Sequence, residues 1–564
     1  MRASRANCAR ANKAPMTPSA AVLSAPPRLR AHAGNGFGNA GVIARGPTGV
    51  AAFVGRTLKG PVNRATPVTS FGDFQQQFGG LWQPSTLAYA VEQFFENGGR
   101  EAIIVRVANG ARPPTLTLRA GGGVLRLQGI NPGTREYLRA SVDYDGIGAE
   151  EQDRFNLVVQ RLRVTASEQI EDQEIFRRVS IRAHAERAVD EVLLDSQLLR
   201  VAGPLPPERP YRSMRSPQAP IVGYVNSNPD GHDGAPLTDY DVIGSALEGT
   251  GIFALQATEG FNFLCIPPLS RETDVGLSTL MIAARFCRER HAMLVVDPPA
   301  AWTSARTALE ALKSWPFRSE NALMHYPRLT AFDRLRGRAE NFAPCGAVAG
   351  MLARLDEAWP VWAAAESEEA ILRSGMRPAT PISDDERLHL AQEGVNTLLA
   401  TRAAALPRLT PCTLAAGGGA SPDWKYLSAR RLALFINASI ERGTRWLAFE
   451  QNTDAAWKAA RAQVEAFLDA LDLEGAFAGS VSEESYFVIC DERVNTPETV
   501  AQGKVKVLYG FALARPTDFH GYLVTHHRGG SRVRTVSANR QATSQRRLEW
   551  EIETAILRGI VIAP

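Results

Sequence analysis

The chain has 564 residues, 45% hydrophobic and 22% charged, with a formal net charge of +4 at pH 7. At roughly 150 residues per domain this length implies three or four domains of a folded soluble class, with a core large enough to fold without staples. Its six cysteines (Cys8, Cys265, Cys287, Cys345, Cys412, Cys490) form no C-x-x-C pair, which argues against a zinc site or a disulfide framework, and no apolar run nears the ~20 residues that span a bilayer.

The charge is unevenly placed. Residues 1–72 hold ten Lys/Arg and no acid, and residues 528–564 hold seven Arg and three Glu, which leaves residues 73–527 at −10. Two basic ends flank an acidic body. Solvated tails are the plain reading. The sharper one is a pair of arms that dock on the acidic bodies of neighbouring copies, charge setting partner and register. Nucleic-acid binding is a third, but neither end interleaves aromatics with its bases as a single-strand binder does. Residues 1–15 do not look like a folded segment, so Met16 stands beside Met1 as a start, and Ala20 to Ala25 is too short for a signal-peptide core.

Along the chain, residues 1–48 read as an extended arm: Pro15, Pro18, Pro26 and Pro27 exclude helix, and Gly34, Gly36, Gly38 and Gly41 loosen the backbone. Gly49-Val-Ala-Ala-Phe-Val-Gly55 predicts a buried strand. Phe71, Phe74 and Phe78 recur at helical spacing, and Ser85 caps a helix carrying Leu87, Val91, Phe94 and Phe95 that ends at Asn97-Gly98-Gly99. Ala102 to Ala108 is a central strand covered on both faces, and the alternation implies an α/β layer.

Residues 109–222 change period. Thr115-Leu-Thr-Leu, Val124-Leu-Arg-Leu, Phe155-Asn-Leu-Val-Val and Val179-Ser-Ile-Arg alternate with period two and predict a β-rich insertion, with Leu205-Pro-Pro-Glu-Arg-Pro210 as its exit linker. The α/β pattern returns with strands at Phe261 to Ile266 and Ala292 to Val296 and a helix over 275–290. Further helices are expected at 367–374 and near Ser383, before a flexible Gly417-Gly-Gly. The last part is the clearest. A helix begins at Ser428 and ends at Gly443, Trp446 to Phe449 is a strand, and a helix over 454–473 carries Trp457, Val464, Phe467 and Leu471. Strands follow at Tyr486 to Cys490, Val505 to Leu513 and Phe519 to Thr525. Leu548 to Glu553 fits a strand and a helix equally.

The motifs that would carry chemistry are thin. Gly36-Phe-Gly-Asn-Ala-Gly41 matches G-x-G-x-x-G only formally, because no strand precedes it and no acid follows until Asp73; a hinge is the better reading. There is no Walker G-x-x-x-x-G-K-[ST] and no G-x-S-x-G elbow. Asp297 ends a predicted parallel strand, where α/β enzymes place catalytic groups, and with His291 and a serine it frames a hydrolase as the alternative function; a turn aspartate before Pro298 and Pro299 is the plain reading. Asn226 to Gly234 is oxygen-rich but lacks the spacing and terminal Glu of a calcium loop. His526-His527 lacks further ligands nearby. No catalytic, cofactor-binding or metal-ligating residue is expected.

Several segments, in order, resemble the contractile tail sheath family. They are Gly49 to Gly55; Gly60-Pro-Val and Val68-Thr-Ser-Phe; Phe94-Phe-Glu-Asn-Gly-Gly-Arg100 with Ile104-Val-Arg-Val107; Asp297-Pro-Pro; Ala343 to Asp356; Gly394-Val-Asn396; the block from Trp424 to Asn452; and Trp457, Phe467-Leu468, Gly475 to Gly479, Cys490-Asp491 and Pro516 to Phe519. Together they cover most of 49–527. The chain departs from the family in lacking a Pro-Gly-Val-Tyr arm motif, in placing Gln451 where the family has Pro, and in running some 37 residues past the usual end.

The resemblance implies an α/β and α+β multidomain protein with six parts. These are an N-terminal arm (1–48), the first part of the α/β core (49–108), a β-rich insertion (109–222), a subtilisin-like middle domain without peptidase chemistry (223–420), a sheath C-terminal domain (421–527) and a basic extension (528–564). It implies a non-enzymatic subunit without cofactors that forms six-fold rings in a helical tube around an inner tube protein. It would meet baseplate and terminator or cap proteins, insert in no membrane and bind no specific nucleic acid. It would be assembled in the bacterial cytoplasm as part of a virion tail or tail-like particle. Its candidate assembly residues are Arg28, Arg30 and Arg45 in the arm, Arg430, Arg431, Glu450, Asn452 and Phe519 in the C-terminal domain, and Arg532 and Arg534 in the extension. Arms without a core of their own would complete sheets of neighbouring subunits by strand addition.

Overall fold

A computed structural model describes residues 41–164, 167–216, 219–363, 371–373, 375–399, 409–418 and 422–536. Arg28, Arg30, the helix expected at 367–374 and the ambiguous Leu548 to Glu553 pattern lie wholly or mostly outside them.

The apolar run after Gly49 forms β1 (Ala51–Gly55), buried throughout, followed by β2 (Thr66–Val68). Ser70 caps the helix Phe71–Phe78, its side chain accepting from the Asp73 N–H, and Gly79 closes it with φ 90°. Ser85 caps the helix Thr86–Glu96 in the same way, accepting from the Ala88 N–H at 3.0 Å. β3 (Ala102–Arg106) then lies between β1 and β2.

Nine strands follow before the α/β pattern resumes: β4 (Thr115–Ala120), β5 (Gly123–Gly129), β6 (Tyr137–Asp143), β7 (Arg154–Val164), β8 (Glu168–Ser180), β9 (Leu199–Val201), β10 (Met214–Ser216), β11 (Ala219–Val222) and β12 (Val225–Asn226). They form a three-stranded sheet β4-β5-β9, a four-stranded sheet β12-β6-β7-β8 and the ribbon β10-β11. Leu116, Leu118, Leu125, Leu127, Phe155, Leu157 and Val159 fill the core between the larger sheets, as their alternation requires. Pairing does not stop at 222, because β12 joins β6 and Ala235 N donates to Asn109 O at 2.8 Å. Nor is 205–210 an exit. Tyr144 Oη donates to Pro210 O at 2.6 Å and Arg209 lies over the Tyr144 ring, so this stretch is held inside the β-rich part. The oxygen-rich loop is a set of turns, with Asp230 accepting from Thr115 N and Asp233 from Thr134 N, both at 2.8 Å.

The chain then supplies β13 (Phe263–Cys265), β14 (Met293–Val296), β15 (Ala322–Tyr326), the hairpin β16 (Leu329–Asp333) and β17 (Arg338–Phe342), β18 (Arg377–Pro378) and β19 (Val395–Thr397). β19, β15, β14, β13, β1 and β3 form six parallel strands in that order, with β2 antiparallel at the edge. Residues on either side of the insertion therefore share one sheet, with Ala51 beside Phe263. One face of the sheet packs under the helices Leu277–Glu289 and Ala305–Leu312. The other packs under the helices Thr86–Glu96 and Cys345–Ala358. Those two meet backbone to backbone: a Cβ on Gly346 would stand 1.9 Å from Ala90 O, and one on Gly350 2.3 Å from Phe94 O.

The C-terminal unit has the helices Leu427–Gly443 and Asp454–Leu473 on an antiparallel sheet of β20 (Tyr486–Ile489), β21 (Val505–Ala512), β22 (Phe519–His527) and β23 (Gly530–Val536), in that order. Ile436, Ile440, Val464, Phe467, Val507, Tyr509 and Phe511 form its core. Two expectations fail here. Trp446 to Phe449 is no strand: Arg445–Ala448 is a 3-10 turn closed by Leu447 N donating to Thr444 O at 3.1 Å, because four apolar residues in a row carry no period of their own. Residues 528–536 are not extension, since β23 completes the sheet.

Candidate assembly interface

Residues 41–48 are not a free arm. They lie along the two long helices of the C-terminal unit, and Ile43, 2% exposed, is buried in that unit's core against Gly443. Gln463 Nε2 donates to Gly41 O at 2.6 Å, Arg442 to Ala44 O at 3.1 Å, and Gly46 N to Ser439 Oγ at 3.3 Å. Arg45 forms a two-pronged pair with Glu474 at 2.5 and 3.0 Å. Asn262 then receives the chain, accepting from Val50 N at 2.9 Å and donating to Pro47 O at 2.7 Å, and so passes it into β1. The segment expected as an arm is thus rooted over 41–48, and residues 1–40 lie outside the described residues. Val42-Ile43 gives no local signal of this, because an isolated apolar pair has no periodicity.

Arg430 and Arg431, one turn into the helix Leu427–Gly443, are spent within the chain. Arg430, 5% exposed, donates to Asn321 Oδ1 at 2.6 Å, pairs with Glu320 at 3.0 Å and lies over Trp424. Arg431 pairs with Asp356 and donates to Thr48 O. Burial pushes the Asp356 carboxyl up against the opposing pull of Arg431. These two arginines brace the C-terminal unit on the parallel sheet. His291 and Glu441 make a third brace at 2.8 Å; burial alone would raise Glu441, but His291 holds it below its usual value.

Of the other candidates, Asn452 is internal, accepting from Trp457 Nε1 at 2.7 Å and donating to Lys504 O at 2.8 Å. Phe519 is buried edge-to-face on Phe487. Glu450 is exposed beside the exposed Phe449. Arg532 and Arg534 are exposed on β23, an outer strand of the four-stranded sheet with one ladder partner, β22, among the described residues. The cavity of about 310 Å³ beneath the rooted segment is lined by both Gly46 and Ser531, so the root of the arm and the start of β23 border the same cavity.

Asp297 is a helix cap. Its Oδ1 accepts the Cys345 N–H at 2.8 Å, at a helix start where Pro344 has no side chain to cap with. Burial pushes its carboxyl up to about 6 and raises the Cys345 thiol well above its ordinary value. A thiol held protonated is a poor nucleophile, and His291 is at the opposite end of β14, paired with Glu441. The residues proposed for a hydrolase are therefore not brought together.

Residues 420–520, which span these helices and most of this sheet, match the phage tail sheath C-terminal domain family. The C-terminal unit carries the tail sheath C-terminal domain. The sheath tail protein Lin1278 from Listeria innocua superposes with a TM-score of 0.56 at 13% identity, over 86% of this chain and 96% of that one. The sheath likeness of fold therefore extends well beyond the matched domain. The PVC sheath complex of an extracellular contractile injection system, in its contracted state, gives a TM-score of 0.49 at 16% identity, over 88% of this chain and 97% of that one. No curated protein matches the chain in sequence.

Proposed function

We propose that this chain is the structural, non-enzymatic subunit of a contractile tail sheath, polymerising helically around an inner tube and contracting to drive that tube through a target envelope. The observation that carries the reading is the C-terminal unit. It has the sheath C-terminal fold, it roots the N-terminal arm through Ile43, and it presents β23 with an exposed basic edge bordering the same cavity as that root. Residues 1–40, basic and without acids, would leave from the root to complete the sheet of a neighbour, and residues beyond Val536 would do so from the other end. Contacts of this head-to-tail kind generate rings or open helices, and hexameric rings stacked helically are the arrangement proposed. Tethered subunits would slide as rigid bodies between an extended and a contracted packing, the extended one kinetically trapped.

The parallel-sheet layer is the counterpart of the subtilisin-like middle domain, without its chemistry. The β-rich insertion would face outward, with the α/β core and C-terminal unit toward the tube. Baseplate and cap proteins would meet the two ends of the cylinder, assembled in the bacterial cytoplasm as part of a virion tail or tail-like particle. Analytical ultracentrifugation of the concentrated full chain, with and without its tube protein, tests this. Concentration-dependent polymer is expected; material that stays monomeric in both conditions contradicts it.

A further inference from the structure

The hairpin β16–β17 is unlike the other connections of the parallel sheet, because it is rigid at its base and bare at its tip. Asp333, fully buried at the bend, accepts from Arg271 at 2.6 Å, Tyr89 Oη at 3.1 Å, Leu335 N at 2.9 Å and Arg336 N at 3.3 Å. A carboxylate satisfied by four donors fixes the turn. Beyond it Phe332 and Leu335 are 66% and 46% exposed, and Arg334, Arg336 and Arg338 share the tip. Glu340 answers Arg336 and Arg338, and Arg334 reaches Glu92 and Glu96 only at 3.6 and 3.8 Å. This is an apolar knob set in arginines.

Its complement lies on the same chain. Residues 465–498 of the C-terminal unit hold nine Asp/Glu and one Arg. Asp472 and Glu483 make no ion pair among the described residues, and Leu473 and Val481 are 88% and 52% exposed between them. Among the described residues no ion pair joins the two surfaces within one copy. The hairpin starts just past the C-terminal end of β15. The C-terminal unit is braced where β1 begins, through Arg431 to Thr48 O. The helix Cys345–Ala358 runs between these ends, from Asp297 to the Arg431–Asp356 pair. The tip, which lies along the helix Thr86–Glu96 through Arg334, is thus unjoined to the acidic face of its own copy, and a second copy can supply that face.

We infer that the β16–β17 tip seats on the acidic 465–498 face of a second copy, making a head-to-tail contact that sets subunit orientation in the polymer. This rests on the sheath reading. A heterologous contact that does not close propagates an open array, and opposite charge around a small apolar centre fixes register.

Two charge-reversed chains test it: Arg334→Glu with Arg338→Glu, and Asp472→Lys with Glu483→Lys, all at exposed or half-exposed positions. Each full-length variant should unfold at the wild-type temperature yet need at least about tenfold more protein to polymerise. Mixed one to one they should co-assemble near the wild-type concentration, because each reversed hairpin then meets a reversed face. Leu335→Ser should act in the same direction without a charge change. Unaltered polymer from the Arg334/Arg338 variant, no recovery on mixing, or recovery by added tube protein alone would each overturn the contact while leaving the sheath reading intact. Failure of the wild-type chain to polymerise would remove both.

Discussion

Two edge strands, β8 and β23, each have one ladder partner among the described residues, and the chain treats them differently. β8 is a 13-residue edge strand whose pairing with β7 shifts register twice, with no β7 partner for Glu171 and with Arg178 at φ 53°. Glu168 and Asp172 stand 61% and 55% exposed along it. Bulges and charges of this kind twist an edge away from new partners. β23 pairs with β22 over seven residues without a shift, and its exposed charges, Arg532 and Arg534, have one sign. One edge is blocked and the other is left regular, bordering the same cavity as the root of a basic arm. That contrast supports the proposal that another chain completes the C-terminal unit and not the β-rich insertion.

Breaking the support of the C-terminal unit should have the largest effect. Arg430→Ala strands Glu320 and Asn321 and should cost about 3–5 kcal/mol, measured by denaturant unfolding. Ile43→Ala opens a cavity where the arm is rooted and should cost about 2–4 kcal/mol, which a free arm would not show.

Acid should separate the regions next. Burial holds His526 down at about 4, with Nε2 on Thr444 Oγ1 and Nδ1 on Ser531 Oγ, each at 2.7 Å. As pH falls from about 6.5 toward 4, the unfolded chain takes up a proton that the folded one refuses, so the C-terminal unit should lose up to about 3 kcal/mol. In the parallel sheet His325, also lowered to about 4, acts in the same sense. Asp297, raised to about 6, opposes it, since the folded state holds that proton below 6 where the unfolded chain has released it. His526→Asn should therefore flatten the stability–pH slope between 6.5 and 4, read by tryptophan fluorescence.

The smallest effects on stability sharpen the contrast most. Arg532→Glu with Arg534→Glu should change stability by less than about 0.5 kcal/mol and still abolish polymer seen by sedimentation. Glu168→Lys with Asp172→Lys on β8 should leave both unchanged.

The sequence made the helices plain where phenylalanines or leucines recur at three and four with a serine ahead, as at Phe71–Phe78 and Thr86–Glu96. It made the parallel strands plain where apolar runs are short and unbroken, as at Met293–Val296. β6 was hidden because Ala140 and Ser141 dilute its alternation, and β8 because most of its side chains are exposed. β23 was hidden for the same reason, since it alternates exposed arginines with half-buried residues and reads as a basic tail. The candidate interface was only partly legible. Arg532 and Arg534 are exposed on an edge, but Arg430 and Arg431 proved to be braces, because a helix sequence does not say which charged face meets another part of its own chain. The rooting of 41–48 depends on contacts with residues some 400 positions away, which no local pattern encodes.

The most direct test of the central claim is electron microscopy of the chain lacking residues 1–40, compared with the full chain at the same concentration. Because Ile43 and its neighbours remain, the truncated protein should be folded, with an unchanged unfolding temperature, and should form no tubes. Tubes of normal length and diameter from it would contradict the account.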